Sequence, residues 1–113
     1  MDFKSLETLT KEFVDTQKKY EQISERHRLL ITQQSENDMV FKELEQLESD
    51  AVIFKLVGNV MVKQSLEDSK ANVSKRLEYI KSELQSISKV SQDLQKTLIE
   101  KSSKIEKIQS KAS

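Results

Sequence analysis

Apolar residues recur every three and four positions through most of the second half of the chain. Ten of the 13 positions in this repeat are apolar. Strict alternation of three and four over several heptads is typical of a coiled-coil helix, whose apolar seam is narrower than that of an ordinary surface helix. The seam positions are Leu66, Lys70, Val73, Leu77, Ile80, Leu84, Ile87, Ser91, Leu94, Leu98, Lys101, Ile105 and Ile108.

The first half carries a weaker seam of the same kind. Eight of its twelve positions are apolar, and polar residues interrupt its middle. A helix with such a narrow stripe cannot bury it alone, so we expect a partner helix. The positions are Leu6, Leu9, Phe13, Thr16, Tyr20, Ile23, His27, Leu30, Gln34, Asn37, Phe41 and Leu44.

Between the two seams, two apolar and largely β-branched runs flank Gly58, the only glycine of the chain. The runs cover residues 52–57 and 60–63, and the Gly58-Asn59 pair between them suits a two-residue turn because both residues tolerate positive φ. This pattern favours a tight β-hairpin. The alternative is an apolar loop that joins two helices.

A single fold-back at this hairpin would pair the two seams. If residues whose numbers add up to about 114 face each other, Phe41 meets Val73 and Tyr20 meets Leu94. Charge supports the pairing, because the first 50 residues carry 12 acidic and 7 basic side chains, whereas the remainder carries 7 acidic and 12 basic ones. The two helices are therefore predicted to be antiparallel.

These patterns predict a mainly α fold, a long antiparallel two-helix coiled coil with a β-hairpin at its bend. The N-terminal helix is assigned to residues 1–50, the hairpin to 51–64 and the C-terminal helix to 65–113. Ser65, followed by acidic residues in the next turn, predicts the N-terminal cap of the second helix.

Composition excludes several classes of function. The 113 residues include one glycine, no proline and no cysteine, so we expect no disulfide, no thiol nucleophile and no glycine-rich phosphate loop. No apolar run is long enough for a membrane span and no leader is recognisable, so a soluble intracellular protein is expected. The formal net charge of zero argues against a dedicated nucleic-acid binder.

Candidate catalytic chemistry is sparse. His27 is the only histidine, and without cysteine or an acidic cluster in register it does not predict a metal site. The many carboxylates are expected on solvated helices, where nothing predicts the desolvated cleft that acid–base catalysis requires. We therefore predict no enzyme activity, no cofactor and no metal ion.

The predicted hairpin is a candidate assembly surface. An isolated two-stranded hairpin is marginally stable, and its edges carry unpaired backbone groups. Since apolar residues occupy both of its faces, we expect hairpins of several chains to join edge to edge into a closed or stacked sheet, an oligomeric β-barrel being the closed form. The alternative is a hairpin folded back on its own coiled coil. The candidate oligomerisation residues are Val52, Phe54, Leu56, Val57, Gly58, Val60 and Val62.

The two chain ends should meet at an apolar tip, where fraying helix ends can expose hydrophobic surface. Phe3, Val14 and Ile99 lie off the seam and are the stronger candidates for contact with another chain, whereas ordinary seam packing is the alternative for the remainder. The complete candidate set at this tip is Phe3, Leu6, Leu9, Phe13, Val14, Leu98, Ile99, Ile105 and Ile108.

The hairpin and the start of the second helix resemble the hairpin block of β-class prefoldin subunits. Asn59 departs from the proline that many relatives carry there, and asparagine suits the turn equally well. The resemblance is carried by Phe54-Lys55-Leu56-Val57-Gly58-Asn59-Val60-Met61-Val62-Lys63-Gln64 and by Lys75-Arg76-Leu77-Glu78-Tyr79-Ile80.

The resemblance implies a specific function. Prefoldins are heterohexamers of two α-class and four β-class subunits, so the partners would be two α-class and three further β-class subunits. Such a complex is an ATP-independent holdase co-chaperone that binds unfolded polypeptides, actin and tubulin among them, at coiled-coil tips and passes them to the cytosolic chaperonin. The expected location is cytoplasmic, and a nuclear pool is compatible with it. The alternative is a scaffolding coiled coil with fixed helical partners and no client-holding activity.

Overall fold

The computed structural model describes the backbone of residues 3–112 and the side chains of residues 3–111. Helix α1 spans Phe3–Glu45, strand β1 Ile53–Val57, strand β2 Val60–Gln64 and helix α2 Leu66–Ala112. This order confirms the predicted mainly helical fold with a β-hairpin between two long helices. Residues 1, 2 and 113, which were predicted to belong to the helices, lie outside the described residues.

Helix α1 ends at Glu45, ahead of the boundary predicted at residue 50. The N–H of Gln46 donates to the carbonyl of Glu43 over 3.2 Å, a bond that tightens the last turn of the helix. The N–H of Ala51 then donates to the carbonyl of Glu48 over 3.0 Å and closes a separate turn. The intervening segment contains Ser and Asp, which favour turns. The seam itself ends at Leu44, so the assignment of the helix to residue 50 extended it beyond its apolar repeat.

Helix α2 begins at the predicted cap. The backbone N–H of Asp68 donates to Oγ of Ser65 over 3.1 Å, and the Ser65 carbonyl accepts the N–H of Ser69 over 3.0 Å. Glu67 and Asp68 place negative charge in the first turn, where it interacts favourably with the helix dipole. Ser65 thus satisfies one of the N–H groups that a helix start leaves without a partner.

The hairpin turn depends on Gly58, which has a φ of 62°. No other described residue has a positive φ, so the turn needs positive φ at its first central position and not at Asn59. That sign pattern belongs to a type II′ turn. An added Cβ at Gly58 would meet no atom within 4 Å, so the backbone conformation selects glycine here and crowding does not.

The chain divides into two compact units. We call residues 29–84 the hairpin unit, and residues 1–28 with 85–113 the terminal unit. Each unit contains a segment of both helices, and the hairpin unit also contains both strands.

In the hairpin unit, α1 and α2 share a small apolar core. Leu44, Leu66 and Val73 are buried together, and Phe41 and Ile53 pack against them. Phe41 and Val73, which the predicted register pairs, thus belong to one apolar cluster. Full burial of each of these aliphatic side chains contributes about 1.5–3 kcal/mol.

In the terminal unit, two hydrogen bonds join the helices in the predicted register. Gln95 Nε2 donates to the Tyr20 hydroxyl over 2.8 Å, and Lys101 Nζ donates to Glu12 Oε2 over 2.7 Å. The residue numbers of each pair add up to within one of the predicted value. The antiparallel alignment inferred from the seams is therefore confirmed at these contacts.

Burial follows the predicted seams closely. Within the described part of α1, every side chain that is not exposed belongs to a seam position, and every seam position of α2 is buried or half-buried. His27 is the exception in α1, since it occupies a seam position and is exposed. Its polar ring keeps its contact with water more readily than the apolar seam residues do.

Loss of the Ser65 cap is expected to destabilise the protein. Ser65→Ala removes the acceptor of the Asp68 N–H and should lower the free energy of unfolding by about 1 kcal/mol. Urea denaturation followed by circular dichroism measures this change. Ser86→Ala is the matched control, because Ser86 is exposed within α2 and alanine favours the helix there. Equal stability of the two variants would contradict a capping role for Ser65.

Candidate functional site

The hairpin has two apolar faces that its register defines. The paired residues are Ile53 with Gln64, Phe54 with Lys63, Lys55 with Val62, Leu56 with Met61, and Val57 with Val60. Because directly opposite residues point to the same face, Phe54, Leu56 and Met61 share one face with Lys63. The other face carries Ile53, Lys55, Val57, Val60, Val62 and Gln64.

Most of this apolar surface is exposed. Ile53 is the only residue of β1 that is partly buried, and it packs against the core of the hairpin unit. The six apolar candidates are all exposed, from 45% at Val62 to 65% at Leu56. Beyond Ile53 and Gln64, the strands are therefore not packed against the helices of the hairpin unit. The exposed candidates are Val52, Phe54, Leu56, Val57, Val60 and Val62.

Met61 belongs to the same surface and was missing from the predicted set. It is 61% exposed and lies opposite Leu56. Its position between Val60 and Val62 in an apolar run was the signal that could have identified it. Conversely, Val52 precedes β1, which begins at Ile53.

The edges of the hairpin carry unpaired backbone groups. In a hairpin with a two-residue loop, the pair next to the loop exchanges hydrogen bonds, and the following pairs alternate between bonded and non-bonded. The register therefore turns the N–H and C=O groups of Phe54 and Leu56 outwards at one edge, and those of Met61 and Lys63 outwards at the other. Each edge can accept a further strand.

A buried hydroxyl fastens the hairpin to α2. Ser69 is 5% exposed, and its Oγ donates to Oε1 of Gln64 over 3.0 Å. The bond joins the last residue of β2 to the first turn of α2 and leaves the buried hydroxyl paired. Neither residue lies on the seam, so the heptad pattern gave no reason to select them.

The nine candidates of the predicted tip fall into two groups in the terminal unit. Phe3 and Ile99 are 81% and 69% exposed, and Val14 is also exposed. The other candidates are half-buried, as seam packing requires. These half-buried residues are Leu6, Leu9, Phe13, Leu98, Ile105 and Ile108.

One shallow groove runs along α1 in the terminal unit. Its apolar side consists of Phe3, Leu6, Thr10 and Val14. Its other side carries two acidic and two basic residues, so the charged rim is neutral overall. The rim residues are Glu7, Lys11, Asp15 and Lys18.

The ion pair between Lys101 and Glu12, which joins the helices in the terminal unit, lowers the pKa of the Glu12 carboxyl group. The hydrogen bond from Lys101, together with the charges of Lys101 and Lys104, holds the pKa of Glu12 below its ordinary value of 4.5. Similarly, the Arg28 guanidinium lowers the pKa of Glu25 within α1. These are helix-surface ion pairs, which contribute modestly to stability.

The described residues offer little for catalysis or membrane insertion. No group of three or more histidine and acidic side chains among residues 3–111 is placed to hold a metal ion. Neither helix, over its described length, contains an apolar stretch that could cross a membrane. The hairpin and the terminal unit do expose apolar side chains, among them Leu56 and Phe3.

This fold, a β-hairpin between two paired helices, matches a known class. The crystal structure of the prefoldin beta subunit from Thermococcus strain KS-1 superimposes with a TM-score of 0.83, covering 92% of this chain and 91% of that one. Sequence identity in that match is 19%, so it shows the fold.

Sequence comparison then gives the family. Residues 7–112 match the family model described as Prefoldin subunit. The chain is 46% identical over 77 residues to Prefoldin subunit 6 of Arabidopsis thaliana, covering 68% of this chain and 60% of that protein. It is 33% identical over 107 residues to Probable prefoldin subunit 6 of Drosophila melanogaster, covering 95% and 86%. It is 37% identical over 83 residues to Prefoldin subunit 6 of Saccharomyces cerevisiae, covering 74% and 73%.

The chain belongs to the prefoldin subunit family, which is a family of chaperone subunits. The matched segment spans less than two thirds of the Arabidopsis relative and most of the Drosophila one.

Replacement of Glu12 is expected to change the pH dependence of stability. Because its pKa is lowered in the folded state, Glu12 stabilises the fold above pH 4.5, and this contribution is lost as the pH falls through the folded-state pKa. Glu12→Gln should therefore be less stable than wild type at neutral pH and should converge with it in acid. Denaturation curves at a series of pH values measure the difference.

The matched control is Glu100→Gln, because Glu100 has no ion-pair partner among the described residues. It should remain closer to wild type at neutral pH. A Glu12→Gln deficit that is the same at every pH would contradict the role given to the Glu12 carboxylate.

Proposed function

We propose that this chain is a β-type subunit of the heterohexameric prefoldin complex and acts there as an ATP-independent holdase co-chaperone. The observation that carries the proposal is the hairpin, which exposes apolar side chains on both faces and unpaired backbone groups at both edges. A surface of this kind is aggregation-prone unless other strands cover it. Its partners would be two α-class and three further β-class subunits, whose hairpins complete a β-barrel.

Burial of the hairpin supplies the driving force for assembly. Each exposed Val, Leu or Phe side chain that becomes fully buried contributes about 1.5–3 kcal/mol. Pairing at the outward edges of Phe54 and Met61 adds backbone hydrogen bonds and specifies the neighbour's register. Closure of the sheet removes both edges, which explains why these strands tolerate so much apolar surface.

Client holding is assigned to the terminal unit. Phe3, Val14 and Ile99 are exposed beside the seam and can bind apolar segments of unfolded polypeptides without a fixed sequence. We propose unfolded actin and tubulin chains as clients and the cytosolic chaperonin as the recipient, with activity in the cytoplasm and, as an alternative, in a nuclear pool. Release needs no nucleotide hydrolysis by this chain, whose single glycine forms the hairpin turn.

A scaffolding coiled coil is the second candidate. The half-buried packing of Leu6, Leu9 and Ile105 is compatible with it, because a fixed seam needs only such contacts. Phe3 and Ile99 lie off the seam, so a fixed seam does not account for these exposed apolar side chains, and we take them as support for holding. Suppression of the aggregation of an unrelated denatured protein by the assembled complex separates the two functions, because a scaffold would leave that aggregation unchanged.

Charge on the hairpin is expected to prevent assembly. Met61→Glu, or Phe54→Glu with Leu56→Glu, places carboxylates on a face that assembly would bury, at a cost of several kcal/mol. Native mass spectrometry of the chain mixed with its partner subunits should show loss of the complex. Met39→Glu is the matched control, because Met39 has the same exposure as Met61, 61%, and lies on α1 outside the hairpin. Assembly that survives Met61→Glu would contradict the barrel.

Removal of residues 1–14 and 98–113 is expected to abolish client holding and to leave assembly intact. These segments contain the exposed terminal residues, whereas the hairpin unit keeps its own apolar core. Light scattering of a denatured protein in the presence of the truncated complex measures holding, and native mass spectrometry measures assembly. An assembled truncated complex that still holds clients would contradict the assignment to the terminal unit.

A further inference from the structure

Two interhelical hydrogen bonds of the terminal unit, Tyr20–Gln95 and Glu12–Lys101, differ in chemistry and lie on opposite flanks of the seam. Gln95 follows the seam residue Leu94, whereas Glu12 precedes the seam residue Phe13, and helical periodicity places such positions on opposite sides. The Tyr20–Gln95 bond is neutral, and the Glu12–Lys101 bond is ionic.

The same contrast continues along both helices of this unit. The flank of Gln95 consists of eight residues spaced by seven along each helix, and all eight are uncharged. They are Phe3, Thr10, Gln17 and Ser24 in α1 and Ser88, Gln95, Ser102 and Gln109 in α2. We call this set the neutral flank. The opposite flank also has eight such residues, of which five are charged. They are Ser5, Glu12, Lys19 and Arg26 in α1 and Val90, Thr97, Lys104 and Lys111 in α2.

Contacts confirm that the neutral positions of the two helices face each other. Ser24 of α1 and Ser88 of α2 line one groove together with Tyr20. The exposed residues Val14 and Ile99 lie just outside the neutral flank, and their numbers place them opposite each other in the antiparallel register. Phe3 belongs to the neutral flank itself. The exposed apolar side chains assigned to client holding therefore lie on this side of the seam.

Charged side chains occupy helix positions next to the neutral flank, further from the seam. Those that border the α1 groove are two acidic and two basic residues, so their charges cancel. A bound segment would therefore meet no net charge and would not have to desolvate an ion on the flank itself. Serine and glutamine offer both donors and acceptors, so they can pair with the N–H and C=O groups of an extended backbone. Such pairing matters for an unfolded chain, whose backbone groups lack partners of their own.

We propose that the neutral flank is the docking surface for an extended, uncharged segment of an unfolded polypeptide. Apolar side chains of the segment contact Phe3, Val14 and Ile99, and its backbone hydrogen-bonds to the serine and glutamine side chains. The proposal rests on the proposed holding function and assigns it to one side of the seam and one class of segment. Charged segments are disfavoured because the flank itself carries no opposite charge to compensate for the water that their ions would lose.

The test uses the assembled complex with a photoreactive phenylalanine at Gln92 or at Val90 of this chain. Both residues are exposed on α2, Gln92 on the side of the neutral flank and Val90 on the opposite flank. The probe is a synthetic segment of Val, Phe, Ser and Thr without charges, and a second probe replaces its Ser alternately by Lys and Glu. The uncharged probe should crosslink at Gln92 in preference to Val90 and to a greater extent than the charged probe.

Three substitutions at two positions give an independent measure of affinity for the uncharged probe. Ile99→Glu should weaken binding about tenfold, because a carboxylate would enter an apolar contact, and Ile99→Gln should weaken it less. Val90→Glu, an exposed β-branched residue on the opposite flank of the same helix, should leave binding unchanged.

Equal crosslinking at Gln92 and Val90, or equal loss from Ile99→Glu and Val90→Glu, would overturn the neutral flank while leaving client holding intact. Stronger crosslinking by the charged probe would overturn the stated class of segment. Absence of crosslinking at both positions, in a complex that still suppresses aggregation, would also overturn the proposal. Absence of both crosslinking and aggregation suppression would overturn the holding function together with it.

Discussion

The backbone groups at the two edges of the hairpin are the constraint on which this protein depends. A sheet of two strands pairs only the groups between them, and the outward N–H and C=O groups of Phe54 and Met61 need water or another strand. Apolar side chains on both faces make water a poor environment. The fold therefore anchors the hairpin at one point, through Ile53 and the Ser69–Gln64 hydrogen bond, and leaves the rest open to other strands.

The two helices present mainly polar surface. Their seams take up most of the large apolar residues, and charged residues cover much of the remaining helix surface, which limits nonspecific association. Exposed apolar side chains such as Phe3 and Ile99 in the terminal unit then stand out as a contact surface. The proposed function needs both surfaces, with backbone pairing at the hairpin for assembly and side-chain contacts in the terminal unit for client holding.

Sequence predicted the features that follow from periodicity or from a special residue. The two seams, the turn at Gly58 and the cap at Ser65 each have a local signal, and the helix register followed from the seams together with charge. The end of α1 was missed although the seam ends at Leu44, one residue before it, because the helix was assigned up to the hairpin and the turns that follow Glu45 were not considered. The exposure of His27 and the Ser69–Gln64 bond also escaped prediction, since each depends on the orientation of one side chain. Three surface candidates, Phe3, Val14 and Ile99, could be separated from seam residues by position alone.

Amide hydrogen exchange tests the central role of the hairpin edges most directly. It would be measured at Phe54, Leu56, Met61 and Lys63 in the separate chain and in the complex with partner subunits, with the inward-facing amides of the hairpin as internal reference. Edge pairing predicts rapid exchange at these four amides in the separate chain and strong protection in the complex. Equal exchange of the four amides in both states would contradict the account, because it would mean that assembly leaves the edges unpaired.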